Sequence, residues 1–255
     1  MELVLDGVQF SYDRGLATEK VVLHSFSLNA REGELLSIVG RTGSGKTTLG
    51  LIMAGLLAPS RGRVTFEDAP DDPIAARERR AERGSEGAGV VMVFQFPESQ
   101  FFEDRVFDEV AFGPSRLGLG DEAIQERVIS AMERMTLDFR SLSNRSTLSL
   151  SEGEKRKVAI ASALSCEPRF LILDEPTVSL DWEASVHIFE VLRELTKYGV
   201  SVIVMTHEVD DAVSYSDRIA VLAAGRLAAS GRLAKNEIYR LLSQEGPGDS
   251  IKKES

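Results

Sequence analysis

Short apolar runs recur along the chain at Leu35–Val39, Val90–Phe94, Phe170–Leu173, Val200–Met205 and Ile219–Leu222. Each is apolar at nearly every position and too short for a helix, the pattern of a strand covered on both faces. Between several of them the apolar period changes to that of a helix. Ile124, Val128, Met132 and Met135 share one helical face, and Asp121 stands where an N-cap is expected. A second helix is predicted from Glu183 to Tyr198, burying Val186, Phe189, Leu192 and Leu195 and stopping at Gly199, a residue suited to the left-handed position after a helix. Strands alternating with helices predict an α/β fold with a mostly parallel sheet.

Residues Pro97 to Leu164 differ, because helical periodicity dominates and no strand-like run interrupts it. They predict a helical insert within the α/β core. The expected organisation is one domain over residues 1–244, with the core at about 1–96 and 165–244 and a helical subdomain at about 97–164. Asp68 to Arg83 is a mixed-charge run that reads as a solvated loop or helix face, and residues 245–255 read as a flexible tail.

Composition narrows the partners. A formal net charge of −10 speaks against a general nucleic-acid binder, which needs a positive field along phosphate backbones. The single Cys166 forms no internal disulfide and is expected to be a buried thiol in a reducing compartment. Met1 to Phe10 alternates polar and apolar residues, unlike a signal peptide, and no apolar run approaches the ~20 residues that span a bilayer. A protein of this kind at a membrane would be held there by another subunit.

Gly40-Arg41-Thr42-Gly43-Ser44-Gly45-Lys46-Thr47 fits the phosphate-loop pattern G-x-x-x-x-G-K-[ST]. Glycines let consecutive backbone N–H groups turn inward on a phosphate, Lys46 supplies an ammonium for the β- and γ-phosphates, and the Thr47 hydroxyl is a magnesium ligand. The run Leu35–Val39 leads in, and a helix predicted from Thr47 to about Leu57 leads out, adding its N-terminal dipole. A chain of this length meets the pattern by accident about once in a hundred, and the flanks make accident rarer still.

Phe170 to Glu175 is an apolar strand ending in two carboxylates. Asp174 is suited to hold magnesium, and Glu175 to polarise an attacking water. Leu150-Ser151-Glu152-Gly153-Glu154 reads as a capping box, with Ser151 as N-cap and Glu154 at the third helical position of a helix reaching Leu164.

Phosphate loop, Gln95, the helix opening at Ser151, Asp174-Glu175, Ser179-Leu180-Asp181 and His207 occur in the order seen in ATP-binding cassette (ABC) ATPases. From about residue 2 to 240 the chain resembles that family. The resemblance implies a P-loop NTPase fold with N-terminal antiparallel strands, a mostly parallel core sheet and an inserted helical subdomain. It implies ATP and Mg²⁺ as cofactors, with Thr48 joining residues 40–47 around the phosphates. Tyr12, 28 positions before Gly40, would stack on adenine. Gln95 would contact Mg²⁺ and the lytic water, and His207 would sit near the γ-phosphate. Ser151, Gly153 and Asp181 would act across a dimer, each facing nucleotide bound to the other subunit. The signature departs from the usual Leu-Ser-Gly-Gly-Gln by carrying Glu152 and Glu154, and Trp182 stands where the family often has proline.

The segment from Phe94 to Pro114 resembles that of ATPases from energy-coupling factor (ECF) importers of vitamins, cobalt or nickel in prokaryotes. This implies a second ABC ATPase subunit, a transmembrane coupling protein and a substrate-binding membrane subunit as partners, at the cytoplasmic face of the cell membrane. Glu98, Glu103, Asp104, Asp108 and Glu109 beside aromatic residues form a stretch that a basic amphipathic helix would match. Two other readings are a non-transport ABC ATPase, which would carry a coiled-coil insertion or second cassette, and a low-turnover regulatory module, which Glu175 with His207 speaks against.

Overall fold

The computed structural model describes residues 1–67, 89–96 and 101–243. The mixed-charge run, Glu98 and the tail lie outside the described residues. Three antiparallel strands form a small sheet in the order β2-β1-β4: β1 (Glu2–Tyr12), β2 (Lys20–Arg31) and β4 (Arg61–Glu67). A second sheet has the order β5-β6-β7-β3-β8-β9, from β3 (Leu35–Val39), β5 (Val90–Val93), β6 (Phe170–Asp174), β7 (Ser201–Thr206), β8 (Arg218–Ala223) and β9 (Arg226–Gly231). Its strands run parallel except β9, which returns antiparallel to β8.

Alternation along the central strands divides their side chains between two cores. Leu36, Ile38, Phe170, Ile172, Ile203 and Met205 face the small sheet and α1 (Lys46–Met53). Leu35, Leu171, Leu173, Val202 and Val204 face the opposite way. There they meet helices that lie between β5 and β6 or follow β6: α2 (Val106–Arg116), α3 (Asp121–Arg134), α4 (Phe139–Leu142), α5 (Glu152–Ser165) and α6 (Trp182–Lys197). Two further helices, α7 (Val209–Tyr215) and α8 (Lys235–Ser243), pack with β8 around a third, smaller cluster.

Most predicted elements appear close to their expected bounds, with local corrections. Asp121 is the first residue of α3 rather than its N-cap, a place taken by Gly120. The helix predicted from Glu183, α6, begins one residue early because Asp181 caps it, accepting from Ala184 N–H at 2.8 Å; Val186 is half-buried while Ile188 is buried. The helix after the phosphate loop is shorter than predicted, ending at Met53. Cys166 is half-buried rather than buried, and its thiol pKa is raised by desolvation.

Parallel strands deliver their C-terminal ends to one edge. Val39 pairs with Thr206, and Asp174 with Met205, so the turns after β3, β6 and β7 leave the sheet side by side. In open α/β sheets this is where ligands are bound. On the helical side, Glu109 of α2 is buried, and one carboxylate oxygen accepts from the N–H groups of Phe102 at 2.9 Å and Glu103 at 3.0 Å.

Desolvation raises the Glu109 pKa against those two hydrogen bonds, and the nearby Glu103 charge adds to the rise. The folded state therefore holds this proton more tightly than the unfolded chain does. The resulting stability is complete in acid, below the ordinary glutamate pKa, and is lost as pH rises through the higher folded value. Glu109→Gln keeps an acceptor oxygen without the charge. Its melting temperature should fall less than the wild type's between about pH 4 and pH 7; equal slopes in thermal scans would contradict this.

Candidate functional site

The turn after β3 is built around close backbone approach. A Cβ on Gly40 would lie 2.7 Å from the carbonyl oxygen of Leu222 and 2.5 Å from Ser44 Oγ, so only glycine fits. Gly45, at φ 104°, is the N-cap of α1 and offers no side-chain cap. The first N–H groups of α1 are thus left to an outside acceptor, the arrangement that binds anions.

Lys46 is only 7% exposed, and its ammonium donates to the Gly40 carbonyl at 2.7 Å and the Arg41 carbonyl at 3.3 Å. It also lies 3.3 Å from Glu175 Oε1. The other Glu175 oxygen is 2.9 Å from His207 Nδ1 and accepts from the His207 N–H at 3.3 Å. Glu175 holds this position with a φ of 49°, a left-handed conformation costly for a side chain of its kind. Beside it the Thr47 hydroxyl donates to Asp174 Oδ2 at 2.6 Å. Burial raises the Asp174 pKa, as does the Glu175 charge, whereas the Thr47 hydrogen bond and Lys46 lower it.

Three buried side-chain atoms among the described residues lack any hydrogen-bond partner: Ser44 Oγ, Arg127 Nη1 and Asp174 Oδ1. Two of those residues, Ser44 and Asp174, line one cavity of about 960 Å³. Buried polar atoms are almost always paired in native proteins, so orphans gathered in a cavity mark a place for a polar ligand. The same cavity brings together Tyr12, residues 42–48, Gln95, Asp174, Glu175 and His207. Gly40 and Arg41 line an adjoining hollow of about 330 Å³ with His207 and Tyr239. Tyr12 is half in solvent, its ring edge-on to Phe10 and its hydroxyl 3.1 Å from Thr48 Oγ1.

A family model described as the ABC transporter matches residues 23–178. The chain belongs to the ABC transporter ATPases. Among its relatives, the energy-coupling factor transporter ATP-binding protein EcfA2 of Caldanaerobacter subterraneus is 36% identical over 94% of this chain and 82% of that protein. The protein of the same name from Symbiobacterium thermophilum is 38% identical over 91% and 78%. Among solved structures, cbiO1 of Clostridium perfringens, described as part of the ABC transporter complex cbiONQ, superposes with a TM-score of 0.76 at 33% identity, covering 93% of this chain and 90% of that one. The dimeric cassette MJ0796 gives 0.73 at 26% identity, over 92% and 100%; it is also known in a post-hydrolysis state with ADP and phosphate. This ABC ATPase therefore hydrolyses ATP to drive transport, in an α/β cassette of the expected class. No helix of the described residues is long and apolar enough to cross a membrane.

The ABC signature segment lies apart from the cavity: Ser151, Gly153 and Asp181 are absent from its lining. The capping box is formed, with the Ser151 hydroxyl accepting from Glu154 N–H at 3.3 Å and Glu154 accepting from Ser151 N–H at 2.8 Å. Both unusual carboxylates are paired. Glu152 receives Lys155 at 2.7 Å, and Glu154 receives Arg145 at 3.0 Å. The backbone and side chain of Ser151 both hydrogen-bond the Glu154 carboxylate and, with Arg145, hold its pKa below the ordinary glutamate value.

Motif reading missed the far wall of the cavity, which comes from Lys20, Val21, Val22 and His24 of β2 and from Ala224, Gly225 and Arg226 at the β8–β9 turn. The backbone N–H of His24 donates to the Gly225 carbonyl at 2.8 Å, and Gly225 N–H donates to the Ser44 carbonyl at 3.2 Å. This chain of bonds stitches small sheet, turn and phosphate loop together. Nothing in residue spacing announces it.

Removing the Thr47 hydroxyl takes from the buried Asp174 carboxylate its one hydrogen-bond donor among the described residues. Thr47→Val should destabilise the nucleotide-free protein by about 1–3 kcal/mol, read from the midpoint of urea unfolding. An unshifted midpoint would show that Asp174 finds another donor.

Proposed function

We propose that this chain is the ATP-hydrolysing subunit of a prokaryotic ECF-type importer for a vitamin or transition-metal ion. The observation that carries the reading is the convergence of phosphate loop, paired carboxylates and His207 in one cavity. The relatives named EcfA2 and cbiO1 support the importer class.

ATP would place its adenine against Tyr12 and its phosphates within the amides of residues 40–48. Asp174 Oδ1, buried and unpaired, and the Thr47 hydroxyl form an oxygen donor set that fits Mg²⁺. Bound there, with Gln95 nearby, the metal would neutralise phosphate charge. The γ-phosphate would compete with Glu175 for the Lys46 ammonium, now shared at 3.3 Å. Released from Lys46, the Glu175 carboxylate takes a proton from the attacking water, with His207 positioned 2.9 Å away to steady it. Ser151, Gly153 and Asp181 act on nucleotide held by a second ABC subunit, which explains why they stand outside the cavity of their own. Closing and reopening of the pair then couples hydrolysis to movement.

The helical insert, about 97–164 within a core of about 1–96 and 165–244, faces the membrane partners in this reading. A groove of about 590 Å³ on it is lined by Glu103, Phe107, Asp108, Phe112 and Asp121, with Arg116 at its side. Phe102, 76% exposed, stacks on Phe112 at 5.4 Å. An acidic groove with aromatic walls suits a basic amphipathic helix of a transmembrane coupling protein. Asp104 and Glu109, also expected to contribute, are not among the lining residues, and Glu109 is buried. The chain would thus sit peripherally on the cytoplasmic face, beside a substrate-binding membrane subunit.

Glu175→Gln should still bind MgATP in an equilibrium titration, while phosphate release falls by about 10²–10⁴-fold; turnover near wild type would refute the general-base role. Reversing charge at Glu103 and Asp108 should abolish co-purification of a transmembrane subunit and leave ATP affinity intact. An undiminished complex would move the docking surface elsewhere.

A further inference from the structure

Arg156 lies in the second turn of α5, and its guanidinium is buried, with the residue 5% exposed. It donates from Nη1 to the Gln95 carbonyl at 2.6 Å and from Nη2 to the Val178 carbonyl at 3.3 Å. These acceptors belong to two separate parts of the site. Gln95 follows β5, and its residue lines the cavity. Val178 lies in the tight turn between Glu175 and Asp181, where Val178 N–H bonds the Glu175 carbonyl at 3.3 Å and Leu180 N–H the Thr177 carbonyl at 3.1 Å. That turn includes two left-handed residues, neither of them glycine, Glu175 at φ 49° and Ser179 at φ 64°, so it needs outside support to keep its shape.

We propose that Arg156 is a positioning residue for hydrolysis: its planar fork ties the signature helix to the backbones that carry Gln95 and the Glu175–Asp181 turn. A guanidinium presents several donors in a fixed plane, so it can hold two carbonyls of separate segments in one set geometry, whereas the rotatable donors of an ammonium fix no such plane. When the helix beginning at Ser151 shifts, Gln95 and the turn shift with it. The groups that handle the γ-phosphate and water are thereby set by the placement of the helix that reaches a second subunit. This inference rests on the proposed roles of Gln95 and Glu175.

The test compares wild type, Arg156→Lys, Arg156→Gln, Gln95→Ala and the double variant Arg156→Lys/Gln95→Ala, with Glu175→Gln as the reference for loss of chemistry. Steady-state ATPase kinetics on the full chain are paired with equilibrium MgATP titration and melting temperature. The expected result for both Arg156 variants is kcat lower by about tenfold to a hundredfold, with KM and nucleotide affinity within about threefold of wild type. The double variant should lose little more than the worse single one, because the two changes act on one path. Wild-type kcat in a folded Arg156 variant would overturn the proposal, as would a loss expressed in KM, or losses that simply multiply in the double variant. If Arg156→Lys does not fold, Arg156→Gln alone decides on the KM-against-kcat split. Full activity of Glu175→Gln would instead overturn the general-base reading, a separate outcome.

Discussion

A lysine ammonium withdrawn almost wholly from water governs this structure. Lys46 has to be surrounded by oxygen, and the chain supplies it from loop carbonyls at Gly40 and Arg41 and from the Glu175 carboxylate. Burying a charge is tolerable only with such partners. The same requirement makes the site receptive, because a triphosphate offers better oxygens than the loop does. Glu175 on one side and an incoming phosphate on the other are alternative partners for a single cation.

The neighbouring carboxylate is poised by the opposite means. Asp174 ends a fully buried strand, has one oxygen bonded to Thr47 and the other to nothing, and has its pKa raised by desolvation. An apolar sheet pushing an acid to its edge creates a local need for positive charge. Lys46 meets part of that need, and a divalent cation between Thr47 and Asp174 would meet the rest. The site therefore holds strain, in a buried oxygen without a protein partner and a left-handed Glu175.

The signature helix solves a different electrostatic problem. Two glutamates in its first turn favour the helix dipole but would repel a phosphate brought by another subunit. Lys155 and Arg145 pair with them, and the Arg145 guanidinium also donates to the Ser149 carbonyl at 2.9 Å, fixing the approach to Ser151. The departure from the usual family pattern is thus balanced within the chain. Deeper in the same helix, Arg156 reaches the backbones of Gln95 and Val178, so in the proposed reading one helix would serve both a partner subunit and its own catalytic loops.

The family and the chemistry were legible in the residues alone. Gly40 to Thr47 and Asp174-Glu175 are contiguous segments whose function follows from backbone geometry over a few residues, and the central strands announce themselves as unbroken apolar runs. Most helix termini were legible to within a residue or so, as at Asp181 and Asp121, but the helix after the phosphate loop stops at Met53, short of the expected Leu57. What the sequence could not express is who meets whom across the sheet. The wall made by His24, Gly225 and Arg226, the shared grip of Lys46 and His207 on Glu175, and the Arg156 fork all join residues distant along the chain. Their order in the chain carries no record of these contacts, because they arise only when parallel strands bring their C-terminal ends to a common edge. Local spacing determined the groups able to handle a phosphate, and packing of the two sheets and the helical insert decided their distances, partners and burial.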